Sequence, residues 1–405
     1  MSQEKKFSRR GFLQAGVSGM AGVLAGPALI MGRAKDTLQE GSKSEILRRK
    51  MGKTGLEVAV LGLGCGYLTE SALVRAALDK GIDYIDSAYA YMNGRSDEAI
   101  GKIIKDVKRD SIVITTKVDM PQEGRTGLYR RNIKSDEFIR RAETSLSRMN
   151  IDYADIIAIH DLVRAEDVAF EPLVTALQRL KKDGKARAIG IAFHRNEPAI
   201  LDAMASCGLY DIAVVSYNFR QPHVDQVRAA IAKAGASGLG IVAMKTMAGV
   251  FFDRERKRPV PGRAAAKWAL QDENVATVIP GFTTFEQLED DAAILRDIQM
   301  TDVERDSLGL DEDPLPDGLY CAQCGTCRTE CPSGLDIPTV MRAYMYAYGY
   351  RNPGLARTTA AEAGATEAPC ADCGTCRVRC PMGFRVNERL GEMARLAALP
   401  AGMLG

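Results

Sequence analysis

The sequence predicts an α/β protein in which a (β/α)8 barrel, the TIM-barrel architecture, precedes a small and mainly α-helical domain. Two observations lead to this fold class. Between residues 52 and 310, eight short β-rich runs alternate with amphipathic helical stretches. A repeated strand-then-helix order produces parallel strands, and eight such units close into a barrel. After residue 313 the pattern changes, because two copies of one cysteine motif flank a helical stretch and another helical stretch follows.

Length and charge narrow the classes of function. With 405 residues the chain is long enough for more than one domain. Its net charge of +2 indicates neither a nucleic acid nor a strongly acidic partner. Only three histidines are present, which leaves little material for a histidine-based metal centre. We therefore expect no nucleic-acid partner.

The N-terminus has the pattern of an export signal. Residues 8–13 read Ser-Arg-Arg-Gly-Phe-Leu and match the twin-arginine (Tat) motif, and residues 11–31 are uncharged and rich in Gly and Ala. Small residues at Gly32 and Ala34 suit a signal peptidase. We expect a Tat signal peptide at 1–34, a linker at 35–47, and export by the Tat translocase to a periplasmic or other extracytoplasmic location. An uncleaved anchor and an accidental Arg-Arg pair are the alternatives.

The predicted barrel extends over residues 48–312. The helix pattern at Ser135–Met149 is typical of the segments between its strands, with Asp136 and Glu137 in the first turn. A doubly wound sheet is the alternative, but the glycine run 62–66 lacks the third glycine of a dinucleotide-binding motif because Tyr67 stands there. The predicted strands are Val58–Leu63, Tyr84–Asp86, Ile112–Lys117, Ile156–His160, Ala188–Ala192, Ala213–Tyr217, Ile241–Met244 and Thr277–Ile279.

Four polar residues fall where barrel strands end, which is where barrel enzymes carry their chemistry. They are Asp86, Tyr91, Lys117 and His160. The segments that hold them are 86–91 (Asp-Ser-Ala-Tyr-Ala-Tyr), 116–117 (Thr-Lys) and 159–160 (Ile-His). On these segments, and from residue 48 through residue 281, the sequence resembles the aldo-keto reductase family.

The resemblance implies a role for each member of this tetrad. Tyr91 would exchange a proton with the oxygen of a carbonyl or alcohol, Asp86 would hold Lys117, and His160 would orient the carbonyl. A free tyrosine titrates near pH 10, and a nearby ammonium favours the phenolate. The sequence therefore predicts that Lys117 lowers the pKa of Tyr91.

The nicotinamide pocket that the resemblance implies is incomplete in this sequence. Ala192-Phe193 stands where the family has a Ser-Asn pair, Met244 replaces a stacking aromatic residue, and Gly281 and Gln287 replace the Lys and Arg that hold the 2′-phosphate of NADP. NADP(H) or NAD(H) stays possible through a smaller set of contacts, with a solvated basic loop as the alternative reading around Arg254. The candidate nucleotide contacts are Asp86, Tyr217, Lys245, Arg254, Thr283 and Thr284.

Eight of the ten cysteines form two copies of C-x2-C-x2-C-x3-C-P, the motif by which bacterial ferredoxins hold [4Fe–4S] clusters. In two-cluster ferredoxins the fourth cysteine of each motif serves the other cluster. Structural zinc sites and disulfides are the alternatives, but neither explains the C-P ending. We expect a ferredoxin-like domain at 313–405 with two clusters, one on Cys321, Cys324, Cys327 and Cys380, the other on Cys370, Cys373, Cys376 and Cys331.

Together these features predict an exported oxidoreductase that interconverts a small-molecule carbonyl and an alcohol. An exported enzyme meets no cytosolic pool of NAD(P)H, so a nicotinamide nucleotide would have to be captive and recharged in place. The clusters would exchange the electrons with a redox partner protein or a membrane electron carrier. One alternative is a non-catalytic electron relay whose barrel docks or senses a partner. Another is a conventional NADPH-dependent aldo-keto reductase.

Overall fold

The computed structural model describes residues 45–122, 128–310, 312, 318–365, 370, 373, 376–400 and 403. The expected signal peptide lies outside these residues, as does the expected linker apart from residues 45–47. None of the helices in the described ranges is long and apolar enough to cross a membrane.

A parallel eight-stranded sheet confirms the predicted barrel. Its eight strands pair with one another in chain order. Backbone bonds between the first and last strands complete the ring, because Gly62 donates to Val278 at 2.8 Å and Val278 donates to Val60 at 3.0 Å. The strands of the described chain are β1 (Arg48–Lys50), β2 (Glu57–Ala59), β3 (Leu63–Gly64), β4 (Tyr84–Asp86), β5 (Val113–Val118), β6 (Ala154–Ile159), β7 (Ala186–Phe193), β8 (Ile212–Ser216), β9 (Gly240–Met244) and β10 (Val275–Val278).

The first predicted strand, 58–63, is divided in the structure. Its beginning forms β2, which pairs antiparallel with β1 in a hairpin whose turn contains Gly55 in the left-handed region, at φ 76°. Only β3 joins the barrel. At Gly64 a Cβ atom would lie 2.5 Å from the carbonyl oxygen of Ile279, so this close approach to the last strand requires glycine.

Helices cover the outside of the barrel, and the predicted helix at Ser135–Met149 is present with the same bounds. The barrel-side helices are α1 (Ser71–Asp79), α2 (Arg95–Ile104), α3 (Ser135–Met149), α4 (Glu171–Lys182), α5 (Glu197–Cys207), α6 (Val224–Ala236), α7 (Gly262–Leu270), α8 (Phe285–Ala292) and α9 (Asp302–Ser307).

The barrel has two apolar layers. Inside the ring, Met51 and Val58 of the N-terminal hairpin region pack with lumen residues such as Tyr84, Ile156 and Val214. A larger layer fills the space between strands and helices. Because the hairpin residues occupy one end of the lumen, the opposite end, where the strands finish, is left for a site.

The C-terminal region is helical, as predicted, and has its own apolar core. It consists of α10 (Thr326–Glu330), α11 (Ile337–Tyr348), α12 (Pro353–Glu362) and α13 (Val386–Ala398). It packs on the barrel within one unit, residues 44–405. Leu319 donates its backbone N–H to the carbonyl of Phe252 at 3.3 Å.

Candidate active site

The tetrad residues lie together at the strand ends. Asp86 ends β4, Lys117 is the penultimate residue of β5, and His160 directly follows β6. The ammonium of Lys117 forms an ion pair with Asp86 and donates to the carbonyl of Ser87 at 2.7 Å. The same nitrogen lies 4.8 Å from the centroid of the Tyr91 ring. The structure thus brings three members of the tetrad into direct contact.

His160 completes the group. Its ring meets the Tyr91 ring edge-on, with centroids 5.6 Å apart. Nδ1 lies 2.6 Å from a carboxylate oxygen of Asp119, a residue that sequence reasoning did not select. Asp119 follows Lys117 by two residues, so strand alternation points both side chains to one face. An Nδ1–H held by this carboxylate would leave Nε2 available to a substrate oxygen.

The backbone after Tyr91 adopts an uncommon conformation. Met92 and Asn93 both lie in the left-handed region, with φ of 50° and 57°. Non-glycine residues rarely adopt this conformation, and consecutive cases cluster at functional sites. The turn leads into α2, whose Asp97 is fully buried and accepts hydrogen bonds from Ser87 at 2.5 Å and Ser145 at 2.8 Å. Asp97 therefore fixes the loop that carries Tyr91, and sequence reasoning missed it.

Burial decides the protonation of Tyr91. It raises the pKa of Tyr91 to about 12, although Lys117 is the largest opposing influence. The expected lowering by Lys117 is therefore present but does not determine the net direction. Burial also lowers the pKa of Lys117, yet Asp86 and Tyr91 outweigh it and the net change is upward. At neutral pH the site thus holds a protonated phenol beside an ammonium, an arrangement that can donate a proton.

A second charged group occupies the same end of the barrel. Asp161 follows His160, and His194 and Arg195 follow β7. A carboxylate oxygen of Asp161 lies 2.9 Å from His194 Nδ1, and the other lies 3.6 Å from Arg195. Lys245 follows β9; burial lowers its pKa, and the nearby carboxylate of Asp161 opposes part of that lowering. Of the candidate nucleotide contacts, only Asp86 and Lys245 lie in this cleft.

Tyr217 and Arg254 contact other parts of the protein. Tyr217 packs on Trp268 with ring centroids 5.0 Å apart, and its hydroxyl accepts a hydrogen bond from Arg228 at 3.2 Å. Arg254 donates to the hydroxyl of Tyr344 at 2.7 Å and to Glu392 at 3.0 Å. Its guanidinium thus joins the barrel to α11 and α13.

Thr283 and Thr284 lie at the start of α8. Both bond to Gln287, and the Thr284 hydroxyl caps the helix by accepting from the Gln287 backbone at 3.2 Å. Near the other end of the helix, burial raises the pKa of Asp291 to about 7, and Asp290 adds to this effect. The six candidate contacts therefore do not converge on one nucleotide phosphate, and the residues present fit a nucleotide only in part.

The structure places the eight motif cysteines in two groups of four. One recess is lined by Cys321, Cys324, Cys327 and Cys380 together with apolar neighbours such as Met341. Burial raises the pKa of Cys321 to about 12, and the adjacent thiols add to this effect. Within the described residues no set of three or more His, Cys, Asp or Glu side chains is placed to hold a single metal ion. A four-iron cluster binds each thiolate to a different iron, so its ligands surround a space.

The second group contains Cys370, whose pKa is raised by burial and then by Cys373, Cys376 and Cys331. The first group is joined to the barrel. Tyr320, which precedes Cys321, accepts a hydrogen bond from Asn218 at 3.2 Å, and Asn218 lies two residues beyond β8. Four-thiolate sets of this kind suit [4Fe–4S] clusters, and the first set adjoins the end of the barrel that carries the tetrad.

Two family models match the chain. The aldo/keto reductase family matches residues 68–264, and the 4Fe-4S dicluster domain matches residues 320–385. L-galactose dehydrogenase from Arabidopsis thaliana is 23% identical over 67% of this chain and 93% of its own length. Methylglyoxal reductase DkgB from Escherichia coli O157:H7 is 29% identical over 58% of this chain and 86% of its own. An aldo-keto reductase from Bacillus halodurans, in its holo form, superposes with a TM-score of 0.54 at 21% identity, over 65% of this chain and 96% of that one.

Proposed function

We propose that this chain, an aldo-keto reductase-like oxidoreductase with iron–sulfur clusters, interconverts a carbonyl and an alcohol with electrons exchanged through two [4Fe–4S] clusters. The observation that carries the proposal is the position of the first cysteine group. Cys321 is joined through its neighbour Tyr320 to Asn218, at the barrel end that also holds Tyr91 and Lys117. Proton chemistry and electron storage are therefore adjacent in one unit.

The tetrad supplies the proton. In the reductive direction the carbonyl carbon gains a hydride, and the oxygen gains the proton of the Tyr91 hydroxyl to give the alcohol. Lys117 stabilises the developing phenolate because its ammonium lies against the ring. Asp86 holds Lys117 in place, and His160 donates to the carbonyl oxygen. The oxidative direction reverses each of these transfers.

The clusters supply the electrons. Reduction of one carbonyl takes two electrons and two protons, and two clusters can store two electrons. A nicotinamide nucleotide, NAD(H) or NADP(H), would convert that pair of electrons into a hydride when bound. Asp86 is the candidate contact in the cleft that we retain for the nucleotide, whereas the Arg254 guanidinium bonds to Glu392. We therefore propose that any nucleotide is captive and assign it no phosphate contact at Arg254.

We further propose that the chain is exported by the Tat translocase and works in the periplasm or another extracytoplasmic compartment. The support is the motif at 8–13 and the uncharged stretch at 11–31. Tat export carries folded proteins, so clusters assembled in the reducing cytosol would already be in place. We divide the mature chain into a barrel at 48–312 and a two-cluster domain at 313–405. A redox partner protein or membrane carrier would exchange electrons with the clusters.

Replacement of Tyr91 tests the catalytic proposal. With reduced methyl viologen as electron donor and methylglyoxal as substrate, Tyr91→Phe should lower turnover by about 10²–10⁴-fold, because a positioned proton donor contributes that much. Oxidation of L-galactose provides the reverse assay. Tyr89→Phe is the matched control, because Tyr89 lies two residues away and its ring faces Arg148 instead of Lys117. Equal turnover by Tyr91→Phe and the unaltered protein would refute the catalytic role.

A further inference from the structure

Three cations from separate parts of the chain meet beside the tetrad. Arg195 follows β7, Lys245 follows β9, and Arg342 projects from the middle of α11. The segment after β9 lies against α11, because a Cβ atom at Gly249 would be 3.2 Å from the sulfur of Met345. In agreement with this packing, the charges of Arg342 and Arg195 both lower the pKa of Lys245. The proton-transfer roles proposed above use none of the three.

The nearby carboxylates do not neutralise this group. Asp161 faces both His194 and Arg195. Glu197 is held by Gln221 at 3.0 Å and lies 3.1 Å from His223, and Asp336 pairs with Arg328 at 2.5 Å. One carboxylate, Asp161, is thus left to balance Arg195, Lys245 and Arg342.

Arg195 has unused hydrogen-bond donors. It is only 9% exposed, and its Nε and Nη1 atoms have no hydrogen-bond partner among the residues that the structure describes. Within the same residues, the side chains of Lys245 and Arg342 form no hydrogen bond or ion pair with protein. A buried guanidinium nitrogen without a partner is costly, so this arrangement calls for an acceptor from outside the chain.

The group reaches the solvent at Lys245. Lys245 is solvent-exposed, yet burial is the main influence that lowers its pKa, to about 7. Both facts follow if its ammonium lies deep in the molecule and faces a space that water can enter. The backbone agrees with a constrained site, because Asp161 and Lys245 both lie in the left-handed region at φ 57°.

We propose that Arg195, Lys245 and Arg342 form a subsite for a carboxylate or phosphate group of the substrate. This deepens the proposed function and rests on it: the preferred carbonyl compound or alcohol is an anion. Guanidinium and ammonium groups form their strongest hydrogen bonds with such oxyanions. Because Asp161 directly follows His160, the subsite adjoins the position of the reacting carbonyl. Arg342 belongs to the C-terminal region, so that region contributes to substrate recognition as well as to electron transfer.

Anion binding to the cluster-loaded protein gives a test that needs no turnover. Isothermal titration calorimetry with succinate and with inorganic phosphate should detect binding by the unaltered protein. Lys245→Met and Arg342→Leu should each weaken it at least tenfold. Lys233→Met and Arg179→Leu remove surface cations whose ion-pair partners are Asp202 and Asp136, and should leave binding unchanged. Equal binding by all five proteins would overturn the subsite.

A matched pair of aldehydes assigns the anion to the substrate. Succinic semialdehyde and butanal share a four-carbon chain, but only the first carries a carboxylate. The kcat/KM for succinic semialdehyde, divided by that for butanal, should be well above one in the unaltered protein. This ratio should fall at least tenfold in Lys245→Met and stay unchanged in Lys233→Met. A ratio near one in the unaltered protein would overturn the assignment.

Nucleotide phosphate is the other source of an oxyanion. Denatured Lys245→Met should release as much NAD(H) or NADP(H) as the unaltered protein, and a selective loss would overturn the assignment to substrate. The two proposals can fail separately. Anion binding that is sensitive to Lys245→Met, in a protein that reduces neither aldehyde, would refute the proposed function and retain the subsite.

Discussion

The buried ion pair between Lys117 and Asp86 should have separate effects on stability and on chemistry. The two side chains are 0% and 3% exposed. The second carboxylate oxygen of Asp86 has no hydrogen-bond partner in the described part of the chain. Lys117→Met would therefore leave a buried carboxylate without the ion-pair partner that the structure shows.

The expected loss follows from that geometry. Removal of one partner of a buried pair costs about 3–5 kcal/mol, whereas replacement of both by neutral groups is roughly neutral. For a unit with the size of the barrel, such a loss lowers the unfolding midpoint by about 5–9 °C. Lys117→Met combined with Asp86→Asn should recover most of the midpoint. Because Tyr91 then lacks its neighbouring cation, neither protein should recover turnover.

Thermal unfolding of the cluster-loaded proteins by circular dichroism, paired with turnover driven by reduced methyl viologen, measures both effects. Arg179→Leu, which removes an exposed cation paired with Asp136, is the control and should shift the midpoint by less than about 2 °C. The reasoning fails if the double variant melts at the same temperature as Lys117→Met, because the unpaired carboxylate would then not be the cause. Recovery of turnover by the double variant would refute the role of Lys117.

Three further results are expected. Because burial raises the pKa of Tyr91 to about 12, the phenol stays protonated from pH 6 to 10. The kcat for methylglyoxal, which has no anionic group for Lys245 to bind, should therefore be flat over that range, and a tenfold fall would contradict this. Burial raises the folded-state pKa of Asp291 to about 7, so stability that is present at pH 4 is lost as the pH rises through 7. Asp291→Asn should therefore raise the free energy of unfolding at pH 8 by at most about 4 kcal/mol. An equal gain in the unfolding midpoint at pH 4 would show that the buried charge is not the cause. Arg254→Ala should lower the free energy of unfolding by only about 0.5–1 kcal/mol, because the ion pair of Arg254 with Glu392 is partly exposed. Mass spectrometry should find the nucleotide content of this variant unchanged, and a loss of nucleotide would show that Arg254 is a phosphate contact.

The barrel could be predicted because its signals are local. The alternation of β-rich runs with amphipathic stretches predicted the strands, and the helix at Ser135–Met149 begins and ends as predicted. The first strand was the exception, because its early residues pair with β1 in a hairpin that no periodicity distinguishes from a barrel strand. The cysteine groups followed from spacing, since each motif places three thiols on one short loop.

The rest of the site depends on contacts between distant segments. Arg342 reaches the barrel mouth from a helix almost a hundred residues beyond Lys245, and no spacing rule connects them. Tyr217 ends the predicted sixth strand, but its side chain points away from the lumen of the barrel and packs on Trp268 of α7. The lowering of the Tyr91 pKa by Lys117 was predicted, but the net rise was not, because a nearby cation is visible in the sequence whereas the depth of burial is a property of the fold.

The measurement that tests the central claim most directly is a single turnover followed by electron paramagnetic resonance. The holoprotein is reduced anaerobically, freed of reductant, and mixed with succinic semialdehyde or methylglyoxal. Our account predicts that the signal of the reduced clusters disappears, with two cluster electrons lost for each alcohol formed, and that Tyr91→Phe slows the loss by about 10²-fold or more. Alcohol formation from added NADPH while the clusters stay reduced would contradict it, because the barrel would then act as a conventional reductase independent of the clusters.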